Sequence, residues 1–333
     1  MAAVLERLPE GARIAVVRLR SLGDCVLTTP ALALLKQCRP DLRVAIIVEP
    51  IFRAVFEGNP DVEQILDPGA PAIFTWRPRL TLNLHGGVRS MALTAASAAP
   101  LRAGFAHHRY SFVYSHRIPR AQDILGERHR AGAALPQSRN SAFPAAPGSV
   151  VPRVSEEERK VHTVEHLASA IFWLGAPRRE IPRARLFAAD PAPGGLYAVL
   201  HPFASTPAKT WPAHRFLALA GELRRSLGLE PVFLAGPGDD SSVFAGFEVW
   251  NSAPLARVKS LMAGAQLFVG NDSGPAHMAA AFGAPVVALF GDSDPSIWGP
   301  WRTQARVLTS PDGIGGIGVE EAIEAAHSIG VPA

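Results

Sequence analysis

The sequence predicts an α/β protein built on doubly wound parallel sheets, and three observations support this prediction. Short apolar runs alternate with stretches of helical spacing along most of the chain. Several runs end in polar, glycine-containing turns, where parallel sheets hold ligands. The alternation dissolves from about 120 to 158 and restarts near 197, and 333 residues are enough for two domains. We therefore predict two Rossmann-like domains, residues 1–180 and 190–333, that face each other across a cleft, with the last helix free to pack back on the first.

The first half opens with an apolar strand and a helix. Arg13–Leu19 has the composition of a buried strand, and apolar side chains then recur at helical spacing from Leu27 to Cys38, with Pro30 as an early kink or start. Further apolar runs predict strands at 43–48, 62–66 and 80–84, and a helix is predicted at 162–175. A stretch rich in Ala, Pro, Ser and Gly at 131–152 predicts a long surface loop near the acceptor side of the cleft.

The second half repeats the alternation after a proline-rich linker at 178–195. Apolar runs predict strands at 197–200, 231–235, 267–269 and 285–290. Helical spacing predicts helices at 213–227, 255–263 and 276–282. The two halves share no visible sequence repeat, yet both have the element order of a Rossmann-type sheet.

Composition excludes several classes of protein. Charged residues make up 19% of the chain and the net charge is +4 without a block of Lys or Arg, which favours small anionic ligands or a lipid headgroup surface over nucleic acid. Only Cys25 and Cys38 are present, too few for a disulfide framework or a zinc site, and no metal is predicted. No run reaches transmembrane length and the start lacks signal-peptide character, so a cytoplasmic location is expected.

The stretch Gly270–Gly283 organises the chain. A buried strand ends at a polar turn, where Asp272 or Ser273 is suited to cap a helix, and Pro275 falls in its first turn. The helix therefore begins at the carboxyl end of a strand, where its free N–H groups and dipole favour an anion, most plausibly a phosphate.

A second ligand-type turn follows the first strand, at Arg20–Asp24. Gly23 permits a tight turn and the close approach of a ligand. Asp24 could accept a proton from an attacking hydroxyl, or it could simply cap the following helix; local sequence favours the cap.

Three further loops carry polar groups at predicted strand ends. Ser205, Thr206 and Lys209 are suited to a diphosphate, although loop lysines are usually only solvated. Asp239 or Asp240 could bind ribose hydroxyls or cap a helix. His277, and likewise His85 and Arg89, could be ligand-binding or purely structural, although the glycines at 86–87 suggest that a ligand approaches closely there.

Two familiar nucleotide motifs are absent from the sequence. No Gly-x-Gly-x-x-Gly follows the first strand and no Walker lysine is present, which weakens the dehydrogenase and nucleotide-hydrolase interpretations.

Taken together, these motifs resemble glycosyltransferase family 9, the heptosyltransferases of lipopolysaccharide core assembly. The matching segments, in the family's order, are Ser21–Asp24, Gly86 with Arg89 and Ser90, Lys209–Pro212, Asn271–His277 and Phe290–Pro295. One departure concerns the donor ribose: relatives often have a Glu there, where this chain has Asp239 and Asp240.

The resemblance implies a GT-B architecture, with the acceptor on 1–180 and an ADP-sugar on 190–333. It also implies inverting, metal-independent transfer of heptose or a similar sugar, with the ADP-sugar as co-substrate and no other cofactor. Asp24 would then be the general base rather than a cap. Residues implied on the donor side are Ser205, Thr206, Lys209, Asp240, Asp272, Ser273, Gly274 and His277. Those on the acceptor side are Ser21, Gly23, His85, Gly86 and Arg89.

The implied acceptor is a lipid-linked saccharide, so peripheral contact with the inner face of the inner membrane is expected, and no nucleic acid. Two alternatives remain open from the sequence. One is a GT-B nucleotide-sugar epimerase, which would release product without consuming an acceptor. The other is a non-catalytic nucleotide-sugar-binding protein, which would bind ADP without turnover.

Overall fold

The computed structural model describes residues 3–126 and 160–329 and contains two six-stranded parallel sheets. The first sheet has the strand order β3-β2-β1-β4-β5-β6. Its strands are β1 (Arg13–Val17), β2 (Arg43–Ile47), β3 (Gln64–Leu66), β4 (Leu80–Asn83), β5 (Leu101–Phe105) and β6 (His116–Ile118).

The second sheet has the order β12-β11-β10-β7-β8-β9, which is the same topology read from the other edge. Its strands are β7 (Tyr197–His201), β8 (Glu230–Ala235), β9 (Glu248–Asn251), β10 (Leu267–Asn271), β11 (Val286–Leu289) and β12 (Ala305–Leu308). Both sheets therefore have the strand order of a Rossmann fold, and the expected α/β class is confirmed.

Helices cover both sheets. In the first half they are α1 (Leu22–Cys38), α2 (Ala70–Trp76), α3 (Val88–Ala96), α4 (Ala121–Gly126) and α5 (Thr163–Leu174). In the second half they are α6 (Ala213–Leu227), α7 (Leu255–Ala263), α8 (Gly274–Phe282), α9 (Pro295–Trp298) and α10 (Val319–Ser328). Short 3-10 helices at Pro50–Val55 and Ser111–Val113 follow β2 and β5.

The central strands are apolar on both faces because helices cover both. Val16 of β1 lies in register with Ile46 of β2 and Leu82 of β4, and all three side chains are fully buried. Such a strand cannot alternate apolar with polar residues, which is why it is a continuous apolar run in the sequence.

One apolar core extends through both halves. It joins side chains of α1 and α5 to side chains of α7 and α8, and α1 packs directly against α8. The sequence allowed the last helix, α10, to pack on the first half. It packs instead against α6, β11 and β12 of the second half. The predicted loop at 131–152 lies outside the described residues.

Several predicted elements differ in detail. The strand expected at 62–66 is formed only at Gln64–Leu66, and a 3-10 helix at Pro50–Val55 precedes it. Pro30 neither starts nor ends α1 but lies inside it. Among the described residues, no helix is both long and apolar enough to cross a membrane.

Candidate active site

The predicted site residues lie at equivalent places in the two sheets. In each sheet the order of strands reverses between two central strands, β1 and β4 in the first and β7 and β10 in the second. The turns that follow these four strands contain Asp24, His85, Lys209 and Ser273. Because ligands of open parallel sheets bind at the carboxyl ends of such strands, each half presents one binding edge.

Asp24 lies in the first turn of α1, where it forms an ion pair rather than a cap. The N-cap residue Ser21 has φ of 72° and makes no side-chain capping hydrogen bond. Asp24 Oδ1 lies 3.8 Å from Nη1 of Arg18, and 24% of the Asp24 side chain is exposed against 7% of the Arg18 side chain. The structure thus gives no support to the capping interpretation, and it leaves a carboxylate that a ligand can reach.

Arg18 is a feature that the sequence interpretation missed. Burial lowers the pKa of its guanidinium, while the nearby Asp24 raises it, and Nε has no partner among the described residues. A buried guanidinium needs a counter-charge, and the Asp24 carboxylate beside Arg18 supplies one. The sequence does mark Arg18, because it is a charged residue that interrupts the apolar run of the first strand.

The turn after β4 is braced from within. Oδ1 of Asn83 accepts hydrogen bonds from the backbone N–H groups of His85 (3.0 Å) and Gly86 (3.1 Å). Gly86 has φ of +70°, and a Cβ there would lie 2.9 Å from Nε2 of His108.

Two charged groups lie near this turn. The side chain of Arg89 forms an ion pair with Glu49 at 2.9 Å. Burial lowers the pKa of His85, and the cations Arg18 and Arg20 lower it further.

On the second half, two polar side chains meet at the carboxylate of Asp272. Nζ of Lys209 lies 3.2 Å from Oδ2 of Asp272, and the Ser293 hydroxyl donates to the same oxygen at 2.6 Å. The Lys209 side chain remains 26% exposed, against 10% for Asp272. Ser293 was not predicted as a site residue, although it lies within the quoted segment 290–295.

Sequence reasoning expected Asp272 or Ser273 to cap α8, and neither side chain does so. Ser273 is the N-cap residue but makes no capping hydrogen bond; its hydroxyl lies 3.3 Å from Nδ1 of His201, and Asp272 binds Lys209 and Ser293. Within residues 3–126 and 160–329, no side chain therefore accepts from the N–H groups of the first turn, and such free groups allow a helix N-terminus to bind an anion. Burial lowers the pKa of His201 to about 4, so this histidine is neutral at pH 7.

The remaining donor-side candidates lie on two loops of the second half. Ser205 and Thr206 are exposed on the loop that leads to Lys209. Asp239 accepts from the backbone N–H of Gly236 at 2.7 Å, and Asp240 accepts from that of Ser242 at 3.0 Å. Both aspartates thus brace their own loop, and Asp240 is the more exposed of the two.

Two glycines allow the two edges to meet. A Cβ on Gly23 of α1 would lie 2.8 Å from Cδ2 of His277, and a Cβ on Gly274 of α8 would lie 2.7 Å from Cβ of Leu22. Since real Cβ atoms essentially never approach that closely, the helix N-termini touch because both positions lack a side chain. His277 is buried at this contact, and burial lowers its pKa. Its Nδ1 has no hydrogen-bond partner within the part of the chain that the structure describes.

Comparison with known proteins gives consistent matches. A family model described as glycosyltransferase family 9 (heptosyltransferase) matches residues 79–313. Lipopolysaccharide heptosyltransferase 3 of Escherichia coli is 25% identical over 307 residues, covering 85% of this chain and 84% of that protein.

Two solved structures have the same fold. A family 9 glycosyltransferase from Veillonella parvula DSM 2008 has a TM-score of 0.74 at 21% identity, covering 96% of this chain and 97% of that one. An E. coli heptosyltransferase solved with ADP has a TM-score of 0.70 at 19% identity, covering 96% of this chain and 100% of that one. The expected GT-B fold is thereby confirmed.

Proposed function

Since the chain belongs to glycosyltransferase family 9, the heptosyltransferase family, we propose that it moves a heptose or a similar sugar from ADP to a hydroxyl of a lipopolysaccharide core acceptor. The acceptor oxygen bonds to the anomeric carbon while the bond from that carbon to the phosphate oxygen breaks. The hydroxyl proton passes to Asp24 and ADP departs with the electron pair. Attack from the face opposite the leaving group inverts the anomeric configuration.

The contact between the N-termini of α1 and α8 carries this proposal. Because Gly23 lies against His277 and Gly274 against Leu22, the turn with Asp24 and the turn with Ser273 lie on the two sides of one junction. A carboxylate on one side and an anion-binding helix end on the other are the groups that this reaction needs.

Charge stabilisation of the leaving ADP supports the same assignment. We propose that Lys209, with the hydroxyls of Ser205, Thr206 and Ser273 and the N–H groups from Gly274 onward, binds the diphosphate. Asp272 would position Lys209, His277 would support the turn from behind, and Asp240 would bind the ribose. ADP as donor carrier is supported by the E. coli structure that holds ADP.

The acceptor side is proposed for the first half. Residues 1–180 would bind the acceptor and 190–333 the ADP-sugar, with Ser21, Gly23, His85, Gly86 and Arg89 lining the acceptor side. A lipid-linked acceptor implies work in the cytoplasm at the inner face of the inner membrane. The E. coli relative, named for lipopolysaccharide, supports this choice of acceptor.

Metal independence is part of the proposal. Lys209 and the N-terminus of α8 supply positive charge at the diphosphate without a cation. Transfer is therefore expected to be unchanged by EDTA. Activity that EDTA abolishes and Mg²⁺ restores would contradict this part while leaving the rest intact.

The central test replaces Asp24 by Asn, which keeps its size beside Arg18 but cannot take up the proton. Transfer from ADP-heptose to core acceptors, followed by ADP release in mass spectrometry, should fall by about 10²–10⁴-fold. The affinity for ADP, measured by calorimetry, should be unchanged. Asp123→Asn, on the exposed face of α4, is the matched control and should retain full activity.

Other results would decide against the proposal. Equal loss of transfer and ADP binding in Asp24→Asn would make Asp24 structural. Sugar product formed without an acceptor would favour the epimerase, and ADP binding without turnover on any acceptor would favour the binding protein. The product's anomeric configuration, read by NMR, tests inversion separately.

A further inference from the structure

Large apolar side chains are exposed along the carboxyl edge of the first sheet. Ile51 follows β2 and is 66% exposed, Val88 follows β4 and is 66% exposed, and Phe112 follows β5 and is 72% exposed. Single exposed apolar residues are ordinary in soluble proteins. Three on the loops of one sheet edge form a surface that needs an explanation.

Contacts between the loops join these side chains into one surface. The ion pair between Arg89 and Glu49 links the start of α3, which carries Val88, to the segment just before Ile51. The 3-10 helix that carries Phe112 packs against α3. The three apolar side chains therefore project from one connected edge.

Exposed arginines surround the apolar side chains. Arg20 follows β1, Arg89 begins α3, and Arg109 lies between β5 and Phe112. Arg120 follows β6. Burial lowers the pKa of His107 on the β5 loop, and Arg120 is near enough to lower it further. The acidic groups of the β1 and β2 loops, Asp24 and Glu49, are already paired with arginines.

The loop after β5 adds a cluster of aromatic and basic side chains to this surface. The guanidinium of Arg109 lies 5.4 Å from the centroid of the Tyr110 ring, and that ring meets Phe112 edge-on at 6.3 Å between centroids. An aromatic ring with an arginine beside it suits the headgroup region of a bilayer, where one side is apolar and the other wet and anionic.

We infer that this surface docks on an anionic lipid bilayer. We call it the basic–apolar edge and define it as Ile51, Val88, Phe112, Arg20, Arg89, Arg109 and Arg120. Single apolar side chains spaced among arginines suit a lipid headgroup layer. Each apolar side chain inserts between headgroups, while the guanidinium groups bind lipid phosphates.

The same edge carries Asp24, so docking has a consequence for the reaction. An acceptor whose lipid anchor stays in the membrane could reach Asp24 without leaving the bilayer. This consequence rests on the proposed function, whereas docking itself does not.

The test measures binding of the protein alone to vesicles, with no substrate present. Co-sedimentation with mixed phosphatidylglycerol and phosphatidylethanolamine vesicles should exceed that with phosphatidylcholine vesicles and should weaken as salt is added. The double variant Ile51→Ser/Phe112→Ser should bind about tenfold or more weakly, because two apolar insertions are lost. The matched control Phe74→Ser/Leu196→Ser, which removes apolar residues 58% and 51% exposed elsewhere, should bind as the wild type does.

Arginine variants test the electrostatic part. Arg109→Gln and Arg120→Gln should each weaken binding to the anionic vesicles about fivefold, the effect expected of one basic residue near a charged surface. Neither should change binding to phosphatidylcholine.

Two results would overturn the inference. One is equal vesicle binding by the edge variant and its control. The other is an edge that mediates concentration-dependent self-association while vesicles recover no protein, which would make it a protein interface. Because no turnover is measured, a failure of the proposed sugar transfer would leave the vesicle result unaffected.

Discussion

Lys209 is held in position before any ligand arrives. Its ammonium lies against Oδ2 of Asp272, and the Ser293 hydroxyl donates to the same oxygen, so the carboxylate is fixed from two directions. A lysine held in this way loses less conformational freedom when it meets a phosphate.

Replacing Lys209 by Ala should therefore weaken ADP binding by about 10–100-fold, the value of one charge-assisted hydrogen bond. Isothermal calorimetry with ADP measures this directly. Arg224→Ala removes an exposed cation of the same half, paired with Glu230 on α6 and β8, and should leave ADP affinity unchanged. An unchanged affinity in Lys209→Ala would remove Lys209 from the diphosphate site.

For single residues, the sequence predicted a site position correctly where a polar residue follows a strand end. It did not predict a contact between two side chains that are distant along the chain. The turns that hold Asp24, Lys209 and Ser273 could be predicted because local turn chemistry marks them. The pairing of Ser293 with Asp272 joins residues 21 positions apart, and no local pattern indicates it. Asp272 and Ser273 were expected as caps for the same reason: their tertiary partners were invisible.

At the scale of elements, glycines decide how closely α1 and α8 approach. Gly23 and Gly274 occupy positions where a methyl group would overlap the neighbouring half. Interactions between packed helices tolerate an added methyl poorly, at a typical cost of about 1–3 kcal/mol.

We expect Gly23→Ala and Gly274→Ala each to lower the free energy of unfolding by about 1–3 kcal/mol and to reduce transfer more than ADP binding, since they push Asp24 away from the donor. Urea denaturation and transfer assays measure the two effects. Gly221→Ala lies inside α6, where the added Cβ would have no described atom within 4 Å apart from its own helix backbone. This variant should be neutral or stabilising. Full transfer activity in Gly23→Ala would show that the contact does not position the site.

The central strands and most long helices followed from apolar periodicity, but four strands did not. These were β5, β6, β9 and β12, of which β6, β9 and β12 are edge strands of only three or four residues. β5 contains Gly104, a poor strand former, which is required because Tyr114 packs directly over it. Tertiary pairing, not local preference, makes these strands.

At the scale of the whole molecule, buried histidines link stability to pH. Burial lowers the pKa values of His108, His166 and His201 to about 4 each. In the unfolded chain a histidine takes up its proton near pH 6.5. Below that pH the unfolded state binds more protons than the folded state, so the stabilisation is complete above about pH 6.5 and declines as the pH falls toward 4.

The free energy of unfolding should accordingly fall between pH 7 and pH 5, by about 1–2 kcal/mol for each of these histidines. Urea denaturation at both pH values measures the fall. His166→Gln should show a smaller fall than the wild type by about that amount, whereas His214→Gln, at an exposed position of α6, should follow the wild-type curve. Identical falls for His166→Gln and the wild type would contradict the assignment.

His162 joins the two halves of the molecule. One ring nitrogen accepts from the backbone of Val164 and caps α5, while the other lies 3.0 Å from the carbonyl oxygen of Gly299, beyond α9. The ring also packs on Trp301 at 4.7 Å between centroids, and Trp301 donates to the carbonyl of Pro182 in the linker. If one half rotates against the other while these bonds are kept, the rotation axis must pass close to His162. Atoms near His162 would then move least, and the loops farthest from it would move most.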